Sequence, residues 1–233
     1  MTRDKKYGPS TYSFVTSPST RAHPGPGPRP VPRDRAEDRR GVGAEAAAPQ
    51  VVEGEAAVAE GLARSGVPRS DVVIVTKMHP RDHGANSAAA KIAASAARFG
   101  GYVDVFLQHY PSCWDGLCGK GWQKRVEGDW RDSWRAMEAA YAAGAVKAVG
   151  ASNFRDAEFR ELRRFATVKP HVLQTWMDPF HAEKPLRAAA ERAGVVFMSY
   201  STLGTQQGRK RVIQHRFNVS VPRARVSETA PTL

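Results

Sequence analysis

The sequence has only two cysteines and no long run of apolar residues, and each scarcity excludes a class of protein. Two cysteines cannot build the disulfide framework that stabilises small secreted domains. We expect Cys113 and Cys118 to be ordinary loop thiols in a reducing compartment, because no second Cys or His pair stands near them to complete a metal site. No stretch approaches the roughly 18 apolar residues of a membrane span. The chain is therefore predicted to be soluble, with no membrane partner and no metal.

Acidic residues are outnumbered, since 35 Lys and Arg oppose 23 Asp and Glu for a net charge of +12. The excess lies in two tails: residues 1–42 carry nine basic and four acidic residues, and residues 204–233 carry six and one. Basic tails attract polyanions, but these tails contain no base-reading motif such as a helix-turn-helix. We predict solvated tails and no specific nucleic-acid partner. A basic protein that associates with nucleic acid through its tails is the weaker alternative.

The first 42 residues are rich in Pro, Arg, Ser and Gly, and residues 24–30 read Pro-Gly-Pro-Gly-Pro-Arg-Pro. Proline removes backbone donors and glycine adds backbone entropy, so residues 1–42 are predicted to form a disordered tail ahead of a domain at 43–233. The Arg and Ser content leaves an organellar transit peptide open, although Asp4 and the missing amphipathic pattern count against it. The cytoplasm is the expected location.

From Gly54 onward, strand-like and helix-like segments alternate. The predicted strands are 72–76, 103–107, 146–149, 172–176 and 195–200, and the predicted helices are 55–65, 86–99, 130–143, 156–166 and 185–193. The first strand is a β-branched run that is apolar on both faces, as a buried parallel strand should be. Such alternation predicts parallel β-α-β units in an α/β fold, and it leaves a doubly wound sheet and a closed barrel as rivals.

Polar side chains stand where each of the five predicted strands ends. They are Lys77, His109, Ser152 with Asn153, Gln174, and Tyr200 with Ser201. Ligands bind at this edge of parallel α/β folds because the strand ends and loops converge there. Five consecutive polar strand ends favour a barrel, whose ring of strand ends faces one pocket.

Several of these segments resemble the aldo-keto reductase family. Val75-Thr76-Lys77 and the segment 102–111 are similar to the family's lysine and histidine strands. Residues 150–154, Gly-Ala-Ser-Asn-Phe, are similar to its Gly-Val-Ser-Asn-Phe signature, and residues 199–204 fit a later cofactor-contacting strand. The motifs occur in the family's order over roughly residues 54–204. The resemblance implies a (β/α)8 TIM-type barrel that transfers a hydride between NAD(P)H and an aldehyde or ketone.

The resemblance also implies a role for individual residues. Lys77 and His109 take the catalytic positions. The implied cofactor contacts are Ser152, Asn153, Gln174, Tyr200, Ser201, Leu203 and Arg223. Of these, Arg223 would pair with a 2′-phosphate and favour NADP over NAD. Trp114 and Trp122 are predicted to line the pocket for a small carbonyl substrate.

Other residues have plainer interpretations. Trp130 and Trp134 lie four apart on one helix face, which favours packing over ligand contact. His79 and His83 have the spacing of a metal pair, but the intervening Pro80 breaks any helix, so we predict a loop.

Two residues that the resemblance implies are missing at the matching positions. In the family, a lysine lowers the pKa of a proton-donating tyrosine and an aspartate pairs with that lysine. When Glu55 is matched to the family's glutamate, the tyrosine position falls on Val52 and the aspartate position near Ala47. Residues 43–52 contain neither Tyr nor Asp.

The barrel itself is predicted to be incomplete. No convincing strand precedes Val51, and the segment after Gly204 is too short for two further strands with their helices. Residues 218–225 resemble the family's last strand. The leading hypothesis is a reductase, and the alternative is an impaired pseudo-reductase or truncated gene product that keeps only cofactor or partner binding.

Overall fold

The structure, a computed structural model, describes residues 14–16 and 49–202. The strands are β1 Phe14–Thr16, β2 Val72–Met78, β3 Val103–Gln108, β4 Val146–Ser152, β5 Val172–Trp176 and β6 Val196–Tyr200. The helices are α1 Pro49–Ser65, α2 Ala85–Arg98, α3 Asp115–Cys118, α4 Trp130–Ala142, α5 Asp156–Phe165 and α6 Lys184–Arg192. The chain divides into two compact units, Met1–Thr175 with Lys184–Met198, and Trp176–Glu183 with Ser199–Leu233.

The strand order follows the chain order from β1 to β6. Strands β2 to β5 pair in parallel, with Lys77 opposite Leu107 and Ser152 opposite Gln174. Helices connect these strands, since a parallel pair needs a crossover. The predicted alternation is confirmed, and every predicted strand and helix is present within three residues of its expected start, except that α1 begins at Pro49. The architecture is that of a partial (β/α)8 barrel.

The two faces of the sheet bury different apolar clusters. The outer cluster lies between the strands and the helices and includes Ile74, Phe106, Trp134 and Leu173. The inner cluster, on the opposite face, consists of Val75, Leu107 and Val172, with Val73, Val105 and Met198 packed against it. Strands buried on both faces explain why the predicted strands read as continuous apolar runs.

Gly150 in β4 has no side chain, and this allows Leu107 and Val172 of the inner cluster to pack against the backbone of β4. A Cβ at this position would lie 2.5 Å from Leu107 Cδ2 and would overlap the carbonyl oxygen of Val172. Gly150→Ala should therefore cost about 1–3 kcal/mol of unfolding free energy, as overpacking does. Urea denaturation would measure it. Gly61→Ala in α1 is the matched control, because a Cβ there meets nothing within 4 Å; an equal loss in both variants would contradict the packing argument.

A buried carboxylate ties α1 to the strand that carries Lys77. Glu55 accepts hydrogen bonds from Thr76 Oγ1 (2.6 Å) and Ser95 Oγ (2.9 Å) and forms an ion pair with Arg98. Its residue is only 4% exposed, so the partners are needed to offset the loss of hydration. This network fixes the end of β2 against α1 and α2.

The prediction that the two cysteines are free thiols is wrong. Cys113 and Cys118 form a disulfide. The helical turn α3 is the physical reason, because Cys118 N donates to Trp114 O (2.8 Å) and so the chain folds back beside Cys113. In an extended segment, four intervening residues would hold the two sulfurs too far apart to bond. The helical turn brings them together.

Part of the predicted tail is described. Phe14–Thr16 forms β1, which pairs antiparallel with β2, opposite Val72–Ile74. A strand therefore does precede Val51, although it is antiparallel and lies within residues 1–42. The rest of residues 1–42 lies outside the described part, where the disordered tail stays a prediction. None of the described helices has the length and apolarity to cross a bilayer.

Candidate active site

The candidate active site is the layer directly above the inner cluster, at the carboxyl ends of the strands. Side chains alternate between the faces of a strand, so the residue two positions after an inner one also points inward. Val75, Leu107 and Val172 belong to the inner cluster. Two positions after them come Lys77, His109 and Gln174. The register of β2 with β3 continues past the strand end, since His109 N donates to Met78 O (3.0 Å).

Burial and charge act on Lys77 and His109 together. Desolvation lowers the pKa of Lys77 from its ordinary 10.5 to about 8. Desolvation, then the positive charges of Lys77 and His79, lowers the pKa of His109 to about 3. At neutral pH the lysine is therefore protonated but more acidic than an ordinary lysine. The imidazole is neutral and can donate one N–H.

His79 is a second imidazole at the site, which the sequence interpretation treated only as a loop residue. Its ring lies edge-on to His109, with 6.4 Å between ring centroids. Its Nδ1 accepts the backbone N–H of Arg81 (3.2 Å), so a neutral His79 carries its proton on Nε2. Desolvation and the nearby Arg81 lower its pKa to about 4. The predicted loop is confirmed as a short 3-10 turn, Pro80–Asp82.

Asn153 holds three strand ends together. Its backbone has φ 59°, a left-handed conformation that asparagine tolerates better than most residues. Its Nδ2 donates to His109 O (2.8 Å) and Ser152 Oγ (3.1 Å), and its backbone N donates to Gln174 O (2.9 Å). The signature at residues 150–154 therefore joins β3, β4 and β5, and these contacts fix the positions of His109 and Gln174.

Gln174 presents an unused acceptor on the inner face. The residue is 1% exposed, and its Nε2 donates to Met198 Sδ at 2.8 Å. Its Oε1 has no hydrogen-bond partner in the described structure. An unpaired buried carbonyl oxygen is costly, and a ligand N–H that reached this atom would offset that cost.

Gln108 is a second buried glutamine, and its side chain lies on the opposite face of the sheet. It is also buried, and its Oε1 also lacks a partner in the described part of the chain. However, it follows the inner residue Leu107, so it points to the outer face, where its Nε2 donates to Trp130 O (2.7 Å). The two glutamines thus share burial and an unpaired oxygen but lie on opposite faces of the sheet.

His83 connects the segment that follows His109 to helix α4. Its sequence spacing did not predict this role. Its Nε2 contacts Tyr110 O at 3.0 Å and donates there, because a carbonyl oxygen can only accept. Its Nδ1 lies 2.9 Å from Ser133 Oγ in α4. Burial lowers the pKa of His83. Within the described residues no group of three metal-binding side chains forms, and His83 acts as a connector between segments.

Aromatic rings extend from His109 toward the following loop. The His109 and Tyr110 ring centroids lie 4.6 Å apart, and Tyr110 meets Trp114 edge-on at 5.1 Å. Trp114 is therefore connected to the site through Tyr110. Trp122 begins a separate 3-10 turn, Trp122–Lys124, and its place in a substrate pocket stays a prediction.

The contacts of the remaining predicted cofactor residues, Tyr200, Ser201, Leu203 and Arg223, stay predictions. Tyr200 and Ser201 belong to the second unit, in which Tyr200 O accepts the backbone N–H of Met177 (3.3 Å). Within that unit Trp176 stacks on His181 at 4.2 Å. Leu203 and Arg223 lie outside the described residues, so their predicted contacts with the cofactor stay predictions.

Residues 50–224 match the model of the aldo/keto reductase family. The chain belongs to this family. Morphine 6-dehydrogenase from Pseudomonas putida is 33% identical over 151 residues, which are 64% of this chain and 47% of the relative. This chain spans about half the length of the curated relatives that it matches.

Solved structures of the family share the fold. An aldo/keto reductase from Brucella melitensis superposes with a TM-score of 0.56 at 28% identity, covering 64% of this chain and 54% of that one. An aldo-keto reductase solved in complex with NADPH superposes with a TM-score of 0.54 at 26% identity, covering 64% and 44%. These matches confirm the (β/α)8-type architecture and the resemblance drawn from the motifs.

Proposed function

We propose that this chain carries the carbonyl-reducing site of a nicotinamide-dependent oxidoreductase. The observation that supports the proposal is the inward layer of Lys77, His109 and Gln174 at the strand ends. This layer combines a proton donor, a neutral imidazole and an unpaired acceptor, and it lies directly above the inner cluster. Related chains include a morphine 6-dehydrogenase and a structure with NADPH, which fits the same chemistry.

The proton in this proposal comes from Lys77. The family's tyrosine and aspartate positions fall on Val52 and Ala47, which cannot donate a proton or pair with a lysine. Lys77, with a pKa of about 8, is mostly protonated at pH 7 and can protonate a developing alkoxide. His109, neutral at that pH, would donate its N–H to the carbonyl oxygen and orient it.

The residues present fit a nicotinamide. When bound, a reduced nicotinamide supplies the hydride. Gln174 Oε1 would accept an N–H of the ring's carboxamide, and Ser152 Oγ is the neighbouring polar atom on β4. Asn153 would contribute by holding these strand ends, since its amide nitrogen already donates to His109 O and Ser152 Oγ. We propose NADP as the form bound, through Arg223.

The alternative function is binding without turnover. It is favoured by the same two positions, Val52 and Ala47, because loss of a general acid removes a large part of catalysis while leaving the cofactor contacts in place. In that case the chain binds NADPH or a partner but does not reduce carbonyls.

NADPH titration followed by nucleotide fluorescence tests the proposal. We expect saturable binding, followed by reduction of a reactive aldehyde under steady-state conditions. Binding without turnover would support the pseudo-reductase alternative. Absence of binding from micromolar to millimolar NADPH would reject both.

The two contrasting glutamines give that titration a matched pair of variants. Gln174→Leu should weaken NADPH binding about tenfold, the effect of one lost hydrogen bond of roughly 1.4 kcal/mol. Gln108→Leu removes an equally buried amide on the outer face and should leave NADPH affinity unchanged. Circular dichroism would verify that both variants are folded. Equal weakening by both substitutions would count against Gln174 as a direct cofactor ligand.

A further inference from the structure

The loop between β3 and α4 contains a disulfide that the proposed reaction does not use. Cys113 stands four residues after His109, and its partner Cys118 ends α3. Trp114, which lies between them, is the N-cap residue of α3 and contacts Tyr110, the neighbour of His109. The disulfide therefore constrains a segment that reaches the candidate site through two aromatic contacts.

Helix α3 also contacts the other side of the site. Leu117 O accepts a hydrogen bond from Arg81 Nη2 (3.3 Å), and Arg81 donates its backbone N–H to His79. Cys118 O accepts from Arg125 Nη2 (3.0 Å). Both imidazoles of the site, His79 and His109, are thus linked to the segment that the disulfide closes.

The disulfide lies outside the two apolar clusters that pack against the sheet. Neither cysteine belongs to the outer or the inner apolar cluster. The bridge encloses only four intervening residues, and the stabilisation that a disulfide gives through the unfolded state is smallest for short loops. Breaking it would release the segment from Cys113 to Cys118 and leave the sheet intact.

We propose that Cys113–Cys118 is a thiol–disulfide exchange site that switches the position of the loop whose Trp114 packs on Tyr110, beside His109. With the bridge closed, Trp114 is held against Tyr110. With the bridge open, α3 loses its covalent tie, and the contacts from Trp114 and Leu117 to the residues around the site loosen. The effector class is a dithiol reductant in one direction and a two-electron oxidant such as a disulfide in the other.

Reduction of the bridge takes place in two thiol–disulfide exchange steps. A reductant thiolate attacks a sulfur of the bridge, here that of Cys113, which is the less buried residue at 7% exposed against 1% for Cys118. Cys118 leaves as a thiolate and takes a proton. The second reductant thiol then attacks the mixed disulfide and releases Cys113 as a thiol. Two electrons and two protons reach the protein, and the reductant leaves as a cyclic disulfide.

Thiol counting and fluorescence on the full chain test this inference independently of NADPH binding. Alkylation followed by mass spectrometry should label two more cysteines after dithiothreitol treatment than before it. Tryptophan emission should shift on reduction, and Trp114→Phe should lose that shift while keeping the change in thiol count. The Cys113→Ser/Cys118→Ser variant should show the emission of the reduced protein, and dithiothreitol should not change that emission.

Three outcomes would overturn the inference. These are two free thiols in air-oxidised protein, an emission spectrum that does not respond to reduction, and loss of the folded circular dichroism spectrum on reduction. The effect on catalysis rests on the proposed function: aldehyde reduction by the wild type should differ between the two redox forms, and that difference should vanish in the double serine variant. A protein that shifts its emission but never binds NADPH would reject the proposed function and keep the switch.

Discussion

Lys77→Met should reduce the rate of carbonyl reduction by about 10²–10⁴-fold, the usual contribution of general acid–base catalysis. Methionine has a similar length but cannot donate a proton. The affinity for NADPH should change little, because the proposed carboxamide contact is made by Gln174. The measurement is steady-state kinetics with a reactive aldehyde, together with NADPH titration. The expected pattern is a loss in kcat with an unchanged dissociation constant.

Lys147→Met is the matched control for this substitution. Lys147 is also a lysine in the same sheet, but it lies near the opposite end of β4, where it pairs with Asp104 (3.2 Å). Its loss should leave kcat unchanged. Full activity of the Lys77→Met variant would contradict the assignment of Lys77 as proton donor and would leave water or His109 for that role.

The pH profile gives the same assignment a second readout. The pKa of Lys77 is lowered to about 8, and in the proposed mechanism the reactive form is the protonated one. The rate constant for reduction should therefore hold below pH 8 and fall as the pH rises through 8. His109 stays neutral throughout, since its pKa is lowered to about 3. A rate that rises with pH through this range would show that the deprotonated lysine is the active form.

The sequence predicted the framework of the site because its signals are local. A β-branched run such as Val72–Thr76 can hardly form anything but a buried strand, and the parity of a strand then determines which residues share a face. Lys77, His109 and Gln174 could therefore be selected from their positions at strand ends. The family motifs at residues 150–154 specified the same edge.

The remaining features depend on contacts between distant segments, which no local pattern records. Glu55 was matched to a motif, but its partners Ser95 and Arg98 lie 40 or more residues away. His83 has the sequence spacing of a metal pair with His79, but in the structure it joins two loops and a helix. The Cys113–Cys118 bridge depends on the helical turn α3. The four residues of this turn include a glycine, and their sequence does not predict a helix. Burial, which sets the pKa of Lys77, is likewise a property of the assembled sheet.

Trp134→Ala should cost about 3–5 kcal/mol of unfolding free energy, the usual cost of truncating a fully buried tryptophan. Trp134 is fully buried in the outer cluster, and its Nε1 donates to Val168 O (3.3 Å), so α4 is fixed to the segment before β5. Truncation leaves a cavity and removes the hydrogen bond to Val168 O. Its helical neighbour Trp130 packs edge-on against Phe154 and Phe165, in agreement with the prediction that both tryptophans pack.

Trp114→Ala is the matched control, because that tryptophan is 36% exposed and belongs to neither apolar cluster. Its loss should cost far less than that of Trp134. Urea denaturation followed by circular dichroism compares the two without relying on tryptophan fluorescence. If Trp134→Ala unfolded at the same midpoint as Trp114→Ala, α4 would not be an integral part of the core. The support that α4 gives to His83 through Ser133, and through His83 to the segment after His109, would then lose its basis.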